Sequence, residues 1–144
     1  MSQTGTIEVL LVEDSAEDAE LAIRALRDHN LANRIHHVED GVEALAYLRE
    51  SPAAAAPRVV LLDLNLPRLG GLEVLRRLRA DERTRFTPVA VLTSSREDRD
   101  LEQAYRLGVN SYIVKPLDFT QFAKVMGELG LYWVVMNDVP DEDL

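Results

Sequence analysis

The sequence predicts an α/β fold, a doubly wound (βα)5 three-layer sandwich built on a parallel five-stranded sheet. Short apolar runs recur along the chain, each ending in polar residues, and segments of helical periodicity lie between them. Parallel strands joined by right-handed helical crossovers form one sheet with helices on both faces. A chain of 144 residues is long enough to bury one such core.

Five segments have the composition of strands, at 9–12, 34–38, 59–62, 89–92 and 112–114. The runs Val-Leu-Leu-Val and Val-Val-Leu-Leu are apolar throughout, as expected for parallel strands buried on both faces. Arg34-Ile35-His36-His37-Val38 alternates between apolar and polar residues, which predicts a strand at the sheet edge.

The segments between the strands predict five amphipathic helices. Ser15 and Asp40 are the expected N-caps of the first two helices, and Ser95 with Asp98 resembles a capping box for the fourth. The predicted apolar faces are Ala19, Ala22, Ile23 and Leu26; Val42, Leu45, Ala46 and Leu48; Leu72, Leu75 and Leu78; and Leu101, Ala104 and Tyr105. The fourth helix should end at Gly108, and the fifth should begin near 118–120.

The composition excludes several classes of protein. With 16 Lys+Arg against 25 Asp+Glu, the net charge of −9 argues against binding to nucleic acid or to anionic membranes. Cysteine is absent, which fits a reducing compartment. The first six residues lack the features of a signal peptide, and no apolar run has the length of a membrane span. We therefore expect a cytoplasmic protein.

Polar groups follow four of the predicted strands. Glu13 and Asp14 follow the first strand, Asp63 the third, Thr93 the fourth and Lys115 the fifth. In an open parallel sheet, ligands bind outside the carboxyl ends of the strands. Clustered carboxylates suit Mg²⁺, and a hydroxyl with an ammonium suits a phosphoryl group. Asp63 stands alone on a central strand and is the best candidate for a nucleophile that forms an aspartyl phosphate.

Together, these strand-end residues resemble the receiver domain of two-component response regulators, over essentially the whole chain. The resemblance implies a CheY-like (flavodoxin-like) fold with strand order 2-1-3-4-5. It implies a phosphoacceptor signalling protein rather than an enzyme with a separate substrate. Asp63 would take its phosphoryl group from a sensor histidine kinase in a Mg²⁺-dependent reaction, and the protein would catalyse its own phosphotransfer and autodephosphorylation.

The resemblance also assigns roles to the other residues. Glu13, Asp14 and Asp63 would hold Mg²⁺ with the backbone carbonyl of Asn65. Thr93 would move to bond the phosphoryl group, which Lys115 would also contact. Tyr112 falls at the aromatic switch position. The bond before Pro116 is expected to be cis by analogy, and Asn65 and Ser95 are too small to shield the phosphoryl group from water.

Two other functions are alternatives to this interpretation. A phosphatase of the haloacid dehalogenase type also uses an Asp nucleophile, Mg²⁺, a hydroxyl and a Lys. It needs a second acid two residues after the nucleophile, and Asn65 occupies that position. A degenerate receiver that serves only as a docking module would lack reactive residues, all of which are present here.

The chain is predicted to be a single receiver domain over 1–144, with a core at about 6–130 and a C-terminal helix extension and acidic tail at 131–144. No DNA-binding domain fits after the fifth helix, so we expect a stand-alone receiver. The single-domain form, Asp63-Leu64-Asn65-Leu66-Pro67 and the apolar C-terminus resemble regulators that partner with phytochrome histidine kinases.

A homodimer is predicted through the helix 4–strand 5–helix 5 face and the C-terminal extension. On a continuous last helix, one apolar stripe is expected to pack on the sheet, and it consists of Phe122, Val125, Met126, Leu129, Trp133 and Met136. Leu131, Val134 and Val135 lie on the opposite side of that helix. Apolar residues on that side need a second cover, which a symmetric partner would supply. The alternative is a break at Gly130, with the remaining segment folding back on its own domain.

Overall fold

A computed structural model describes residues 9–28, 34–50, 57–94, 98–115 and 118–128. Strands and helices alternate along the chain. They are β1 (Val9–Val12), α1 (Ala16–Asp28), β2 (Ile35–Val38), α2 (Gly41–Glu50), β3 (Val59–Leu62), α3 (Gly71–Ala80), β4 (Val89–Thr93), α4 (Asp98–Arg106), β5 (Ser111–Val114) and α5 (Phe119–Glu128).

The five strands form one parallel sheet in the order β2-β1-β3-β4-β5. This confirms the predicted fold class and strand order. The two outer strands are less buried than the three inner ones, and β2 has only Val38 fully buried. Because all strands run the same way, the residues that follow them lie along one edge of the sheet.

The core has two apolar clusters, one on each face of the sheet. Alternate residues of each inner strand point to opposite faces, so Leu11 and Leu61 join the cluster under α1 and α5. Leu10 and Leu62 join the other cluster, which is covered by α2, α3 and α4. The central strands β1 and β3 are apolar throughout because both of their faces are covered.

The predicted caps of the first two helices are present. Ser15 Oγ accepts a hydrogen bond from the Asp18 backbone N at 3.2 Å, and Asp40 Oδ1 accepts one from the Glu43 N at 2.8 Å. Gly108, with φ of 78°, follows α4 as predicted. Ser95 lies outside the described residues.

Two predicted core positions are wrong. Val42 is 43% exposed and Tyr105 is 55% exposed. In α2 the buried residues are Gly41, Ala44 and Leu48, so the helix is rotated relative to the predicted face. The ring of Tyr105 stacks on Tyr112 with 6.5 Å between centroids, so it covers the edge of the sheet instead of entering the core.

The loop after β3 is held close to α2 and α3. At Gly71, a Cβ atom would collide with the carbonyl oxygen of Asp63 and lie 2.6 Å from Leu64 Cα. Arg68 has φ of 68° and pairs with Asp40 at 3.2 Å, which joins the loop to the start of α2. Only glycine permits the approach at Gly71, so the backbone of Asp63 is fixed against the first residue of α3.

At the amino ends of the strands, Arg79 of α3 connects the segments that lead into β4 and β5. Its guanidinium donates to the carbonyl oxygens of Arg85, Thr87, Leu107 and Gly108 at 2.8–3.1 Å. Within the described part of the chain, the helices are too short or too polar to span a bilayer.

Candidate functional site

The carboxyl ends of β1, β3, β4 and β5 bring the predicted site residues together. Backbone hydrogen bonds extend the sheet pairing beyond the strands, from Asp63 N to the Val12 carbonyl at 3.1 Å and from Lys115 N to the Thr93 carbonyl at 2.9 Å. These bonds fix where the side chains of Asp63 and Lys115 begin. The site is therefore placed by the register of the sheet.

The ammonium of Lys115 lies among three carboxylates. Its Nζ is 2.7 Å from Glu13 Oε1, 2.9 Å from Asp18 Oδ2 and 3.0 Å from Asp63 Oδ2. The Lys115 side chain is 12% exposed, so water screens these pairs less than it would at an open surface. The cation partly offsets the repulsion among the acids.

Asp63 is engaged at both carboxylate oxygens. Oδ1 accepts a hydrogen bond from the Asn65 backbone N at 2.8 Å, while Oδ2 faces Lys115. Asn65 also donates from its side-chain amide to Thr93 Oγ1 at 3.2 Å. Asp63 and Thr93 are buried, at 4% and 0% exposure, whereas Asn65 is exposed. The Thr93 hydroxyl is thereby linked to the Asp63 carboxylate through Asn65.

Three acids form a cluster that can hold a cation. Oxygen atoms of Glu13, Asp14 and Asp63 all lie within 4.8 Å of one another. Glu13 is fully buried and Asp14 is exposed, so the cluster reaches from the protein interior to solvent. Glu13 Oε2 accepts a hydrogen bond from Ser15 N at 3.0 Å.

The electrostatics of the cluster favour a bound cation. Burial raises the pKa of Glu13 to about 7, and the negative charge of Asp63 contributes, although Lys115 and the Ser15 N–H oppose the rise. Burial alone would lower the pKa of Lys115, but its close contacts with the carboxylates of Glu13, Asp18 and Asp63 raise it above its ordinary value. Lys115 is therefore a cation at neutral pH, and Glu13 takes up a proton more easily than an ordinary glutamate does.

The residues fit a hard divalent cation. Within the described ranges of the chain, Glu13 Oε1 is buried without a hydrogen bond of good geometry, and its charge is balanced by the ion pair with Lys115. Two buried acids with an exposed third supply the oxygen ligands that Mg²⁺ prefers while leaving room for water. A cation here would relieve the repulsion among the carboxylates.

Two residues of the site were not predicted from the sequence. Asp18 belongs to the first turn of α1 and pairs with Lys115, which lies 97 positions away. His37 of β2 has its Nε2 atom 2.7 Å from the carbonyl oxygen of Glu13. The only sequence signal for Asp18 is its place three residues after the cap Ser15, which predicts a local role.

Of the predicted switch and interface residues, the structure describes Tyr112 and not the dimer residues. Tyr112 of β5 is half-buried, stacks on Tyr105 and packs at the border of the core beside α4. Its role as a switch stays a prediction. The predicted dimer residues Leu131, Val134 and Val135, and also Pro116, lie outside the described residues.

A parallel α/β sheet with a buried Asp beside acids, a hydroxyl and an ammonium defines a class of phosphoacceptor signalling domains. The sequence model of the response regulator receiver domain matches residues 9–126, and the chain belongs to this family. The family assignment agrees with the predicted resemblance and decides against the haloacid dehalogenase class.

Relatives extend over nearly the whole chain. The "Probable methanogenesis regulatory protein FilR2" of Methanothrix harundinacea is 44% identical over 92% of this chain and 86% of its own. The structure titled "Bacteriophytochrome response regulator RtBRR" superposes with a TM-score of 0.78 at 43% identity, covering 92% of this chain and 83% of that one. A structure of the Mn²⁺-bound form of response regulator Rcp1 has a TM-score of 0.74 at 32% identity, covering 88% and 94%.

Proposed function

We propose that this response regulator accepts a phosphoryl group on Asp63 from a sensor histidine kinase and signals in its phosphorylated form. The observation that carries the proposal is the placement of Asp63 Oδ2, 3.0 Å from the Lys115 ammonium and within the cluster formed with Glu13 and Asp14. A nucleophilic carboxylate is thereby set beside both a fixed cation and a group of cation ligands.

In the proposed reaction, a carboxylate oxygen of Asp63 attacks the phosphorus of a phosphohistidine. An O–P bond forms and the P–N bond breaks, and its electron pair returns to the imidazole of the kinase. Lys115 donates to the phosphoryl oxygens, and the Thr93 hydroxyl supplies a second donor once it leaves Asn65. Mg²⁺, held by Glu13, Asp14, Asp63 and the Asn65 backbone carbonyl, would neutralise charge on the transferred group.

The same site supports loss of the phosphoryl group. Water attacks the phosphorus, the P–O bond to Asp63 breaks, and inorganic phosphate leaves. Asn65, which follows Asp63 by two residues, is exposed and small, so it leaves a path for water. We expect spontaneous dephosphorylation, and an adduct that persists for days at neutral pH would contradict this expectation.

Incubation with acetyl phosphate and Mg²⁺, followed by intact mass spectrometry, tests the proposal. Wild-type protein should gain one acid-labile phosphoryl group, and Asp63→Asn should gain none because an amide is not a nucleophile. Asp28→Asn, at the exposed end of α1, is the matched control and should react like the wild type. A full adduct on Asp63→Asn would refute the assignment of the phosphoacceptor.

The experiment also separates the proposal from its alternatives. Continuous release of phosphate without an accumulating adduct would indicate a phosphatase, although Asn65 offers no acid for such turnover. No reaction at all, with folded protein, would indicate a receiver that acts only by docking.

The kinase partner is proposed to be of the phytochrome type. Support comes from the similarity to RtBRR, whose title names a bacteriophytochrome response regulator, at 43% identity over 92% of this chain. A phosphotransfer profile against a bacteriophytochrome kinase and unrelated histidine kinases tests this partner. Faster transfer from an unrelated kinase would contradict it.

A homodimer is also proposed, through α4, β5 and α5 together with the segment that follows Glu128. Within the described residues, the exposed ring of Tyr105 on α4 lies against Tyr112 of β5 and gives this face an aromatic surface. Aromatic side chains are enriched at protein interfaces.

A further inference from the structure

Asp18 contacts the reactive centre from α1, outside the set of strand-end residues. Its Oδ2 atom lies 2.9 Å from Lys115 Nζ, a separation shorter than the 3.0 Å between Nζ and Asp63. The Asp18 side chain is 34% exposed and lies at the rim, while Lys115 is 12% exposed. The contact therefore reaches from the surface into the site.

The local structure of α1 leaves the Asp18 carboxylate available for this contact. An acid three residues after an N-cap serine ordinarily accepts a hydrogen bond from the backbone N–H of that serine. Here the Ser15 N–H donates instead to Glu13 Oε2 at 3.0 Å. Asp18 still donates its own backbone N–H to Ser15 Oγ, so the helix is capped while the carboxylate is directed to Lys115.

Lys115 has three N–H donors and three carboxylates around it. Glu13 and Asp63 belong to the acid cluster that a divalent cation would occupy, and Asp63 would also carry the phosphoryl group. A cation bound to the cluster would compete with Lys115 for those two acids. Among the residues that the structure describes, Asp18 is the one carboxylate that contacts the ammonium and is outside the cluster.

We propose that Asp18 is a positioning residue that anchors the Lys115 ammonium beside Asp63 while the other two carboxylates bind metal and phosphoryl group. The inference rests on the proposed function of Asp63. Without Asp18, the flexible lysine side chain would lose its remaining fixed partner in the metal-loaded site, and the donor needed by the phosphoryl oxygens would be less often in place. Asp18 would act through Lys115, the residue that its carboxylate contacts.

The first test observes the lysine directly. In wild-type protein with Mg²⁺, the ¹H–¹⁵N signal of the Lys115 ammonium should be visible at neutral pH, because its hydrogen bonds slow proton exchange. In Asp18→Asn the signal should broaden or vanish, whereas Glu17→Gln should keep it. Glu17 is an exposed acid of the same turn, so it controls for the loss of one negative charge and for helix stability. Backbone spectra establish that each variant is folded.

The second test measures phosphorylation by acetyl phosphate with saturating Mg²⁺. Asp18→Asn should still be phosphorylated on Asp63, but about three- to tenfold more slowly than wild type, a small part of the ~10²-fold that a misplaced reacting group can cost. Asp18→Glu should recover part of the rate because it restores a carboxylate, and Glu17→Gln should react normally.

The outcomes separate this inference from the proposed function. A wild type that forms no adduct refutes the phosphoacceptor itself. A wild type that reacts, beside an Asp18→Asn variant with an unchanged rate and an unchanged lysine signal, refutes only the role of Asp18. A faster Asp18→Asn variant also refutes it, because Asp18 would then act only as a charge that repels the anionic donor.

Discussion

Single residues of the site combine burial with charge, and Glu13 shows the consequence most clearly. Its carboxylate is fully buried, close to two other acids, and contacts one ammonium. Desolvation favours the protonated form of an acid, while Lys115 favours the ionised form. Because burial is the larger effect, the folded protein holds a proton on Glu13 more tightly than the unfolded chain does.

This residue should make the stability of the metal-free protein depend on pH. The pKa of Glu13 rises from 4.5 to about 7 on folding, so its contribution to stability is present at low pH and is lost as the pH increases through that window. Relative to Glu13→Gln, the wild type should lose on the order of 1–3 kcal/mol of unfolding free energy between these values. Urea denaturation in EDTA across pH 4.5 to 8 measures the difference, and parallel profiles for the two proteins would contradict it.

Asp14 should be required for stabilisation by Mg²⁺. A ligand that binds only the native state adds about 2.7 kcal/mol at a concentration ~100 times its dissociation constant. Thermal unfolding with and without Mg²⁺ should show this gain in the wild type and its loss in Asp14→Ala, because an exposed ligand of the cluster has been removed. Glu39→Ala, also an exposed acid in the loop after a strand, should keep the gain. If Asp14→Ala retained the full gain, the cation would bind elsewhere.

At the scale of elements, the two ends of the sheet differ in construction. At the carboxyl ends of the strands, acids gather around one ammonium. At the amino ends, Arg79 donates hydrogen bonds to four carbonyl oxygens that precede β4 and β5. The first arrangement leaves the site able to change its ligands, and the second fixes the strands that carry Thr93 and Lys115.

Replacing Arg79 should therefore weaken the fold. Lysine cannot reproduce the planar fork of donors, so Arg79→Lys should leave carbonyl groups unsatisfied and cost about 1–3 kcal/mol of unfolding free energy. Arg77→Lys is the control, since Arg77 is exposed and its guanidinium pairs with Glu73 of its own helix. Chemical denaturation measures the unfolding free energy of both variants. If Arg79→Lys is as stable as Arg77→Lys, the carbonyl groups are satisfied by water.

The bounds of a strand or helix could be predicted where the sequence pattern depends only on whether residues are buried. β1 and β3 match their predicted bounds because an apolar run that ends in acids marks where the strand leaves the core. Val42 and Tyr105 were misplaced because periodicity gives the spacing of a helical face and not its rotation against the sheet. Arg68 was not predicted to adopt a positive φ, since that conformation is unfavourable for most side chains; here Arg68 pairs with Asp40.

The site was predictable for a different reason. Each strand-end residue is local to its own strand, and the parallel order brings all of them to one edge. Asp18 was missed because it reaches the site through a contact with Lys115 across 97 residues, which no local pattern encodes.

At the scale of the whole molecule, the prediction concerns self-association into a homodimer. The predicted interface residues Leu131, Val134 and Val135 are outside the described residues, and the dimer stays a prediction. Light scattering at high micromolar concentration should give a dimer mass for the wild type and a monomer mass for the Leu131→Glu, Val134→Glu double variant, because buried charges oppose the contact. A wild type that remains monomeric, with or without a phosphoryl mimic, would refute the interface.

A control keeps this measurement specific. Val42→Glu with Ala80→Glu adds the same two charges at exposed positions on α2 and α3, away from the α4–β5–α5 face. This variant should remain dimeric. Dissociation of both variants would mean that net charge, rather than the proposed surface, controls association.

The three partners of Lys115 also have a consequence for how the molecule is made. The ammonium belongs to the residue after β5. Its carboxylate partners lie earlier in the chain: Asp63 after β3 by 52 residues, Asp18 in α1 by 97 residues, and Glu13 after β1 further still. During synthesis the acids are made first, and they cannot pair with Lys115 until the fifth strand joins the sheet. Non-local pairings of this kind form late in folding because their loops are costly to close. The ability to take up a phosphoryl group should consequently appear in one step, when the last strand is in place, and so report on a completed fold.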